Sequence, residues 1–141
     1  MRRLALLMLT PVIAAGGTPA SVLDVELQHL RNGRGVVHAC LTRHKTYFPD
    51  CRADPAALKR TVAAGTKQLR FEQLEPGGYA VTLFHDENAN ARLDTLFGVP
   101  KEGFGFSRNP VVRFGAPRFD NVRIELAPGF TRAPVRMQYI L

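Results

Sequence analysis

Residues 66–86 read TKQLRFEQLEPGGYAVTLFHD. Two runs of strand composition flank Glu75-Pro76-Gly77-Gly78. Pro presets a turn angle there and Gly tolerates positive φ, so the chain must reverse. Before the turn, Leu69 and Phe71 alternate with polar neighbours, the pattern of a strand with one buried face. After it, Tyr79, Val81 and Leu83 share one face while Ala80 and Phe84 share the other. A strand apolar on both faces is expected at the centre of a sheet, covered on each side.

Working upstream, residues 21–30 alternate Leu23, Val25 and Leu27 with Asp24, Glu26 and Gln28, which predicts a half-buried strand. Asn32-Gly33 is a strong hairpin signal, and residues 36–42 are predicted to return with Val37, Ala39 and Leu41 inward. Residues 43–58 are irregular. Asp54-Pro55 is the pattern of an N-cap followed by the first position of a helical turn, and a strand is expected after it. Downstream, PVVRF (110–114), FDNVRIEL (119–126) and APVRMQYI (133–140) are expected as three more strands. The sum is about seven short strands with turn signals between them. It predicts an all-β fold: a single Greek-key sandwich, transthyretin-like or immunoglobulin-like, with a long loop insert.

The chain has 141 residues, the size of one domain. Residues 1–20 have the layout of a secretory signal peptide: Arg2 and Arg3, an apolar run over 4–15, then small residues. Cleavage fits after Gly16 or after Ala20, leaving a β-sandwich domain at 21–141 and a periplasmic or secreted location. The apolar run is too short for a stable bilayer span. The net charge of +7 falls to +5 once Arg2 and Arg3 are removed. No basic run exceeds two residues outside the leader, so no nucleic-acid partner is expected. An anionic envelope surface, or solubility alone, accounts for the charge. In an oxidising compartment, Cys40 and Cys51 are most simply a disulfide closing the irregular segment. The alternatives are free thiols, or a metal site with His38 and His44, whose spacings match no common zinc pattern.

Two resemblances follow. Phe71, Leu74, Pro76, Gly77 and Tyr79 match a turn common in the transthyretin-like and collagen-adhesin-B-like sandwiches of secreted proteins. That match concerns fold and carries no chemistry. From His85 onward, HDENANARLD and FGVPKEGFGFSRNP resemble the signature of an exported bacterial family, the domain-of-unknown-function family numbered 2141. His85, Asp86, Glu87, Asn88, Asn90, Leu93, Asp94, Thr95, Gly98, Pro100, Lys101, Glu102, Gly103, Gly105, Phe106, Ser107 and Asn109 carry it. Ala91 stands where that family usually has Gly. The resemblance implies a small exported β-sandwich and no established activity.

Three uses of residues 85–109 compete. Asp86, Asn88, Asn90, the Arg92 carbonyl and Asp94 have the spacing of the first part of a calcium loop. The Gly expected at its sixth position is Ala91, and the acid expected at its twelfth is Phe97, so any calcium site is expected to be weak. The competing reading is an Asx-rich turn whose side chains bond its own backbone. A second candidate set, His85, Lys101, Glu102, Phe104, Phe106, Ser107 and Asn109, is read as a loop facing a ligand or partner, against the competing reading of an insert folded back on the sandwich and anchored by the Phe104 and Phe106 rings. The third is a small hydrolase centred on His85, for which Ser107 and Asp94 complete a drawable triad without any nucleophile-elbow pattern. The expected function is a monomeric, non-enzymatic binding or accessory module of the envelope. Its partner would be an unknown envelope component or small ligand, with calcium as the one candidate cofactor.

Overall fold

The structure, a computed structural model, describes residues 16, 17 and 19–141. The leader expected at 1–20 lies mostly outside these residues.

The chain folds into an all-β sandwich. Its strands are β1 (Ser21–Gln28), β2 (Val36–Thr42), β3 (Leu58–Ala63), β4 (Gln68–Leu74), β5 (Gly77–Asp86), β6 (Thr95–Leu96), β7 (Val99–Pro100), β8 (Gly103–Phe106), β9 (Ile124–Leu126) and β10 (Gly129–Arg136). Seven of them have four residues or more. One sheet runs in the order β10-β1-β4 and the other in the order β3-β2-β5-β8, with β9 alongside the start of β5. β6 and β7 form a separate hairpin. The pairings are antiparallel except that of β1 with β10, which is parallel and runs from Ser21 opposite Gly129 to Gln28 opposite Arg136.

The period-2 patterns place the core. Leu23, Val25, Leu27, Leu69, Phe71 and Val135 face Val37, Ala39, Leu41, Tyr79, Val81 and Leu83 across the two sheets, all buried. Removing each such side chain from water contributes about 1.5–3 kcal/mol for the larger ones. β5 is central as its composition predicts, with β2 on one side and β8 on the other. Its outer face carries a second core of Ala80, Phe104, Phe106, Phe119 and Val122, against which Phe48 and Val112 pack.

Four local expectations are corrected. Asn32-Gly33 turns the chain but makes no hairpin, because β1 and β2 belong to different sheets and the 31–35 connection crosses the sandwich. PVVRF forms no strand; Val111 and Phe114 are exposed. FDNVRIEL splits into a helical turn, α1 (Phe119–Val122), followed by the short β9, since Phe119 and Val122 reach the second core from one side of a turn. Asp54 caps no helix. It is buried, and its Oδ1 accepts from the Ala56 amide in an Asx turn, while the helical turn just before it, Cys51–Ala53, is capped by Asp50.

Cys40 and Cys51 are joined, with Cα atoms 6.4 Å apart. This rules out the metal-site and free-thiol readings of the pair. The bridge ties the irregular segment to the outer face of β2.

Candidate functional site

β5 ends at Asp86, and the chain leaves the sandwich there as a loop that returns through β6, β7 and β8. His85 and Asp86, adjacent on the strand, point to opposite sides, as alternation requires. Each is fully buried, and each meets different partners.

Asp86 organises the loop. Its Oδ1 accepts from the Asn90 amide at 3.0 Å. Its Oδ2 accepts from the Ala91 amide at 2.7 Å and from His38 Nε2 at 2.9 Å. Burial alone would raise the Asp86 pKa, but the bonds from His38, Ala91 and Asn90 outweigh it and hold the carboxyl below its ordinary range. An ionised carboxylate only accepts, so His38 Nε2 carries the proton of that bond. His38 Nδ1 meets the Thr61 hydroxyl at 2.9 Å.

The other members of the calcium pattern converge at the loop's open side. Asn88 Nδ2 donates to Asp94 at 2.7 Å, and Asn90 Nδ2 donates to both oxygens of the same carboxylate at 3.0 Å. The two side-chain carbonyls accept from amides of the loop, Asn88 Oδ1 from Asn90 and Asn90 Oδ1 from Arg92. Glu102 closes the loop from the far side. Its two oxygens accept from the Glu87 and Asp94 amides at 2.9 and 3.0 Å. The arrangement is the Asx-rich turn, with Ala91 at φ 62° in the left-handed region where a Gly would be unstrained. Among the described residues, no three His, Cys, Asp or Glu side chains cluster as metal ligands.

One ion-pair network here is not announced by any spacing in the sequence. Glu87 Oε1 accepts from Arg31 Nε at 2.8 Å, and Oε2 accepts from Asn32 at 2.8 Å and Arg34 at 3.0 Å. Burial opposes ionisation, but Asn32 and the two guanidinium groups prevail and hold the Glu87 pKa at about 2. Arg31 also lies over the Tyr139 ring, 4.5 Å from its centre, and donates to the Lys101 and Leu141 carbonyls. The crossing 31–35, the loop after β5 and the end of the chain are thereby tied together. Residues 53 to 56 positions apart form these pairs, so no spacing could announce them.

The residues of the second candidate set do not assemble around one point. His85 is held by the Arg34 carbonyl at Nε2, 2.7 Å, and by the Tyr139 hydroxyl at Nδ1, 2.9 Å. Ser107 accepts from the Val81 amide and donates to the Val122 carbonyl. His85 pairs with Gly103 across the sheet, so Ser107 stands four residues further along, roughly 13 Å away. Asp94 bonds neither of them. The drawn triad is therefore not brought together. Phe104 and Phe106 belong to the second core, and Asn109 bonds the backbone of Pro134 and Arg136. Gly103 and Gly105 are required by approach: a Cβ on Gly103 would strike the Tyr139 ring, and one on Gly105 would lie 2.9 Å from Val135. Lys101 and Arg92 are exposed.

A second His–Asp pair lies beside the loop that follows β2. His44 Nδ1 lies 3.0 Å from Asp54 Oδ1, at a shallow cavity of about 420 Å³ that Arg43 and Tyr79 also line. Burial would raise the Asp54 pKa, and the Thr42 hydroxyl, His44 and the Ala56 amide instead bring it down to about 2.

Residues 25–133 match the family model described as "Uncharacterized protein conserved in bacteria (DUF2141)". No curated protein and no solved structure matches the chain.

Proposed function

The chain belongs to this bacterial family, DUF2141, and from that premise we propose that it is an exported, non-enzymatic binding or accessory module of the cell envelope. Its working surface is the end of the sandwich formed by residues 85–109. One observation carries the reading: the groups there that could do chemistry are all engaged inside the protein. His85, Asp86, Glu102 and Ser107 are buried, and every polar side-chain atom of the four is bonded to another part of the chain. The groups facing outward include Arg92, Leu96, Phe97, Lys101 and Arg108. Such an arrangement presents a surface and keeps the histidine, the two acids and the serine in internal hydrogen bonds rather than poised for reaction. The Cys40–Cys51 bridge and the leader-like residues 1–20 support an oxidising location.

The test is fractionation of cells making the full-length protein. Release with the periplasmic contents, or recovery with the envelope, is expected. Replacing residues 95–100 by a Gly-Ser turn should leave the fold intact and reduce envelope recovery. A cytoplasmic location would remove the reading.

A second reading has its own support. Asp94, Asn88 and Asn90 already converge, and rotating the two side-chain amides would turn oxygens toward the same point. In that reading calcium binds weakly and stiffens the loop.

A further inference from the structure

The β6–β7 hairpin has a two-residue tip, Phe97-Gly98, because Leu96 pairs with Val99. Both tip residues have positive φ, 50° for Phe97 and 78° for Gly98. That is the type I′ turn, for which Asn-Gly is the unstrained choice. A bulky residue at the first position is strained, and the ring gains nothing from packing, since Phe97 is 97% exposed. Leu96 at 49% and Leu93 at 38% extend the apolar tip.

The charges around it are sorted by sign. The carboxylates of Asp86, Glu87 and Glu102 are turned inward onto backbone amides, guanidinium groups or imidazole, and Asp94 is capped by two asparagine amides. The outward charges are Arg92 and Lys101; Arg34 is exposed as well, but its guanidinium is paired with Glu87. An apolar point flanked in the chain by two cations, unpaired among the described residues, matches the boundary of an anionic bilayer, where rings enter the acyl edge and Lys or Arg meets phosphate. A protein partner fits less well. The three side chains offer a few hundred Å², whereas a stable protein interface covers roughly 800 Å² on each side.

We propose that the Leu96-Phe97 tip inserts into the surface of an anionic lipid bilayer, with Arg92 and Lys101 on the headgroups. This rests on the reading of the 85–109 end as the working surface and names what it meets. The chain contains no Trp, so Phe97→Trp makes a site-specific reporter in the full-length protein. Its emission should shift to the blue with phosphatidylglycerol vesicles and be quenched by brominated acyl chains. Neither should occur with phosphatidylcholine alone, and Phe114→Trp, in another exposed loop, should report neither. Phe97→Asn should lose about tenfold in phosphatidylglycerol-vesicle partition relative to the parent chain of the same length, with its melting temperature unchanged or raised. Three results would overturn the proposal: no vesicle-dependent shift at position 97, an equal shift at position 114, or a shift caused by protein concentration without vesicles. The last would assign the tip to a second copy of the chain. If the lipid result fails while the protein still fractionates with the envelope, only the lipid assignment falls; a cytoplasmic protein ends the module reading itself.

Discussion

Asp86 and His38 meet diagonally across the β2–β5 pairing, Oδ2 to Nε2 at 2.9 Å, and the same carboxylate also holds the first turn of the exposed loop. A strand-to-strand contact and a loop closure thus depend on one buried group.

Asp86→Ala leaves His38 Nε2 and two loop amides without their acceptor. Unfolding in urea should show a loss of about 3 kcal/mol. Asp86→Asn should be close behind, because its amide nitrogen would confront donors. A change below about 0.5 kcal/mol for Asp86→Ala would show that the loop closes without it.

Ala91 carries left-handed strain at φ 62°, and its amide bond to Asp86 survives substitution. Ala91→Gly should stabilise the protein by about 1 kcal/mol. By calorimetry the midpoint should rise by roughly 4 °C. An unchanged or lowered midpoint would contradict the strain assignment.

Glu87 and Asp54 have folded-state pKa values of about 2, below the ordinary carboxylate range they regain on unfolding. Their contribution is therefore fully present above about pH 5 and is lost as the pH falls toward 2. Melts at pH 7, 5 and 3 should show stability nearly level between the first two and falling steeply by the third. Glu87→Gln should flatten that fall. A variant with the same acid slope as the parent would remove Glu87 from the account.

Cys40–Cys51 closes a short loop with a sequence separation of 11. Chain-entropy arithmetic gives about 3 kcal/mol for such a loop. The Cys40→Ser/Cys51→Ser double variant should lose about that amount. Reductant should weaken the parent and leave the double variant unaffected.

Calcium should raise the melting temperature by a few degrees over chelator if the second reading holds, and Asp94→Ala should abolish the difference. Identical melts with and without calcium would dispose of the cation.

What could be read in advance was what repeats. Leu23, Val25 and Leu27, or Tyr79, Val81 and Leu83, announce a face because side chains alternate along a strand. The double-sided composition of β5 announced its central place. Partners were harder. Asn32-Gly33 says that the chain turns but not which sheet receives it, and both 31–35 and the turn at Pro76 cross between sheets. PVVRF has the composition of a strand but lies outside both ladders. At the site, the Asp/Asn spacing falls on the turn that follows β5, where side chains and loop amides bond one another. Glu87 stands in the family signature, but its pairing was not legible, because Arg31 and Arg34 reach it only through tertiary structure.

The parallel pairing of β1 with β10 has a temporal meaning. Ser21–Gln28 finds one of its two neighbours only in Gly129–Arg136, more than a hundred residues later. A growing chain can form β1 with β4, but that edge of β1 stays open until the last segment of the domain is available. Long-range pairing of this kind belongs to the slower folding classes. Until then the open edge is a template for neighbouring chains. Chains shortened before residue 129 should therefore aggregate rather than rest as smaller sandwiches.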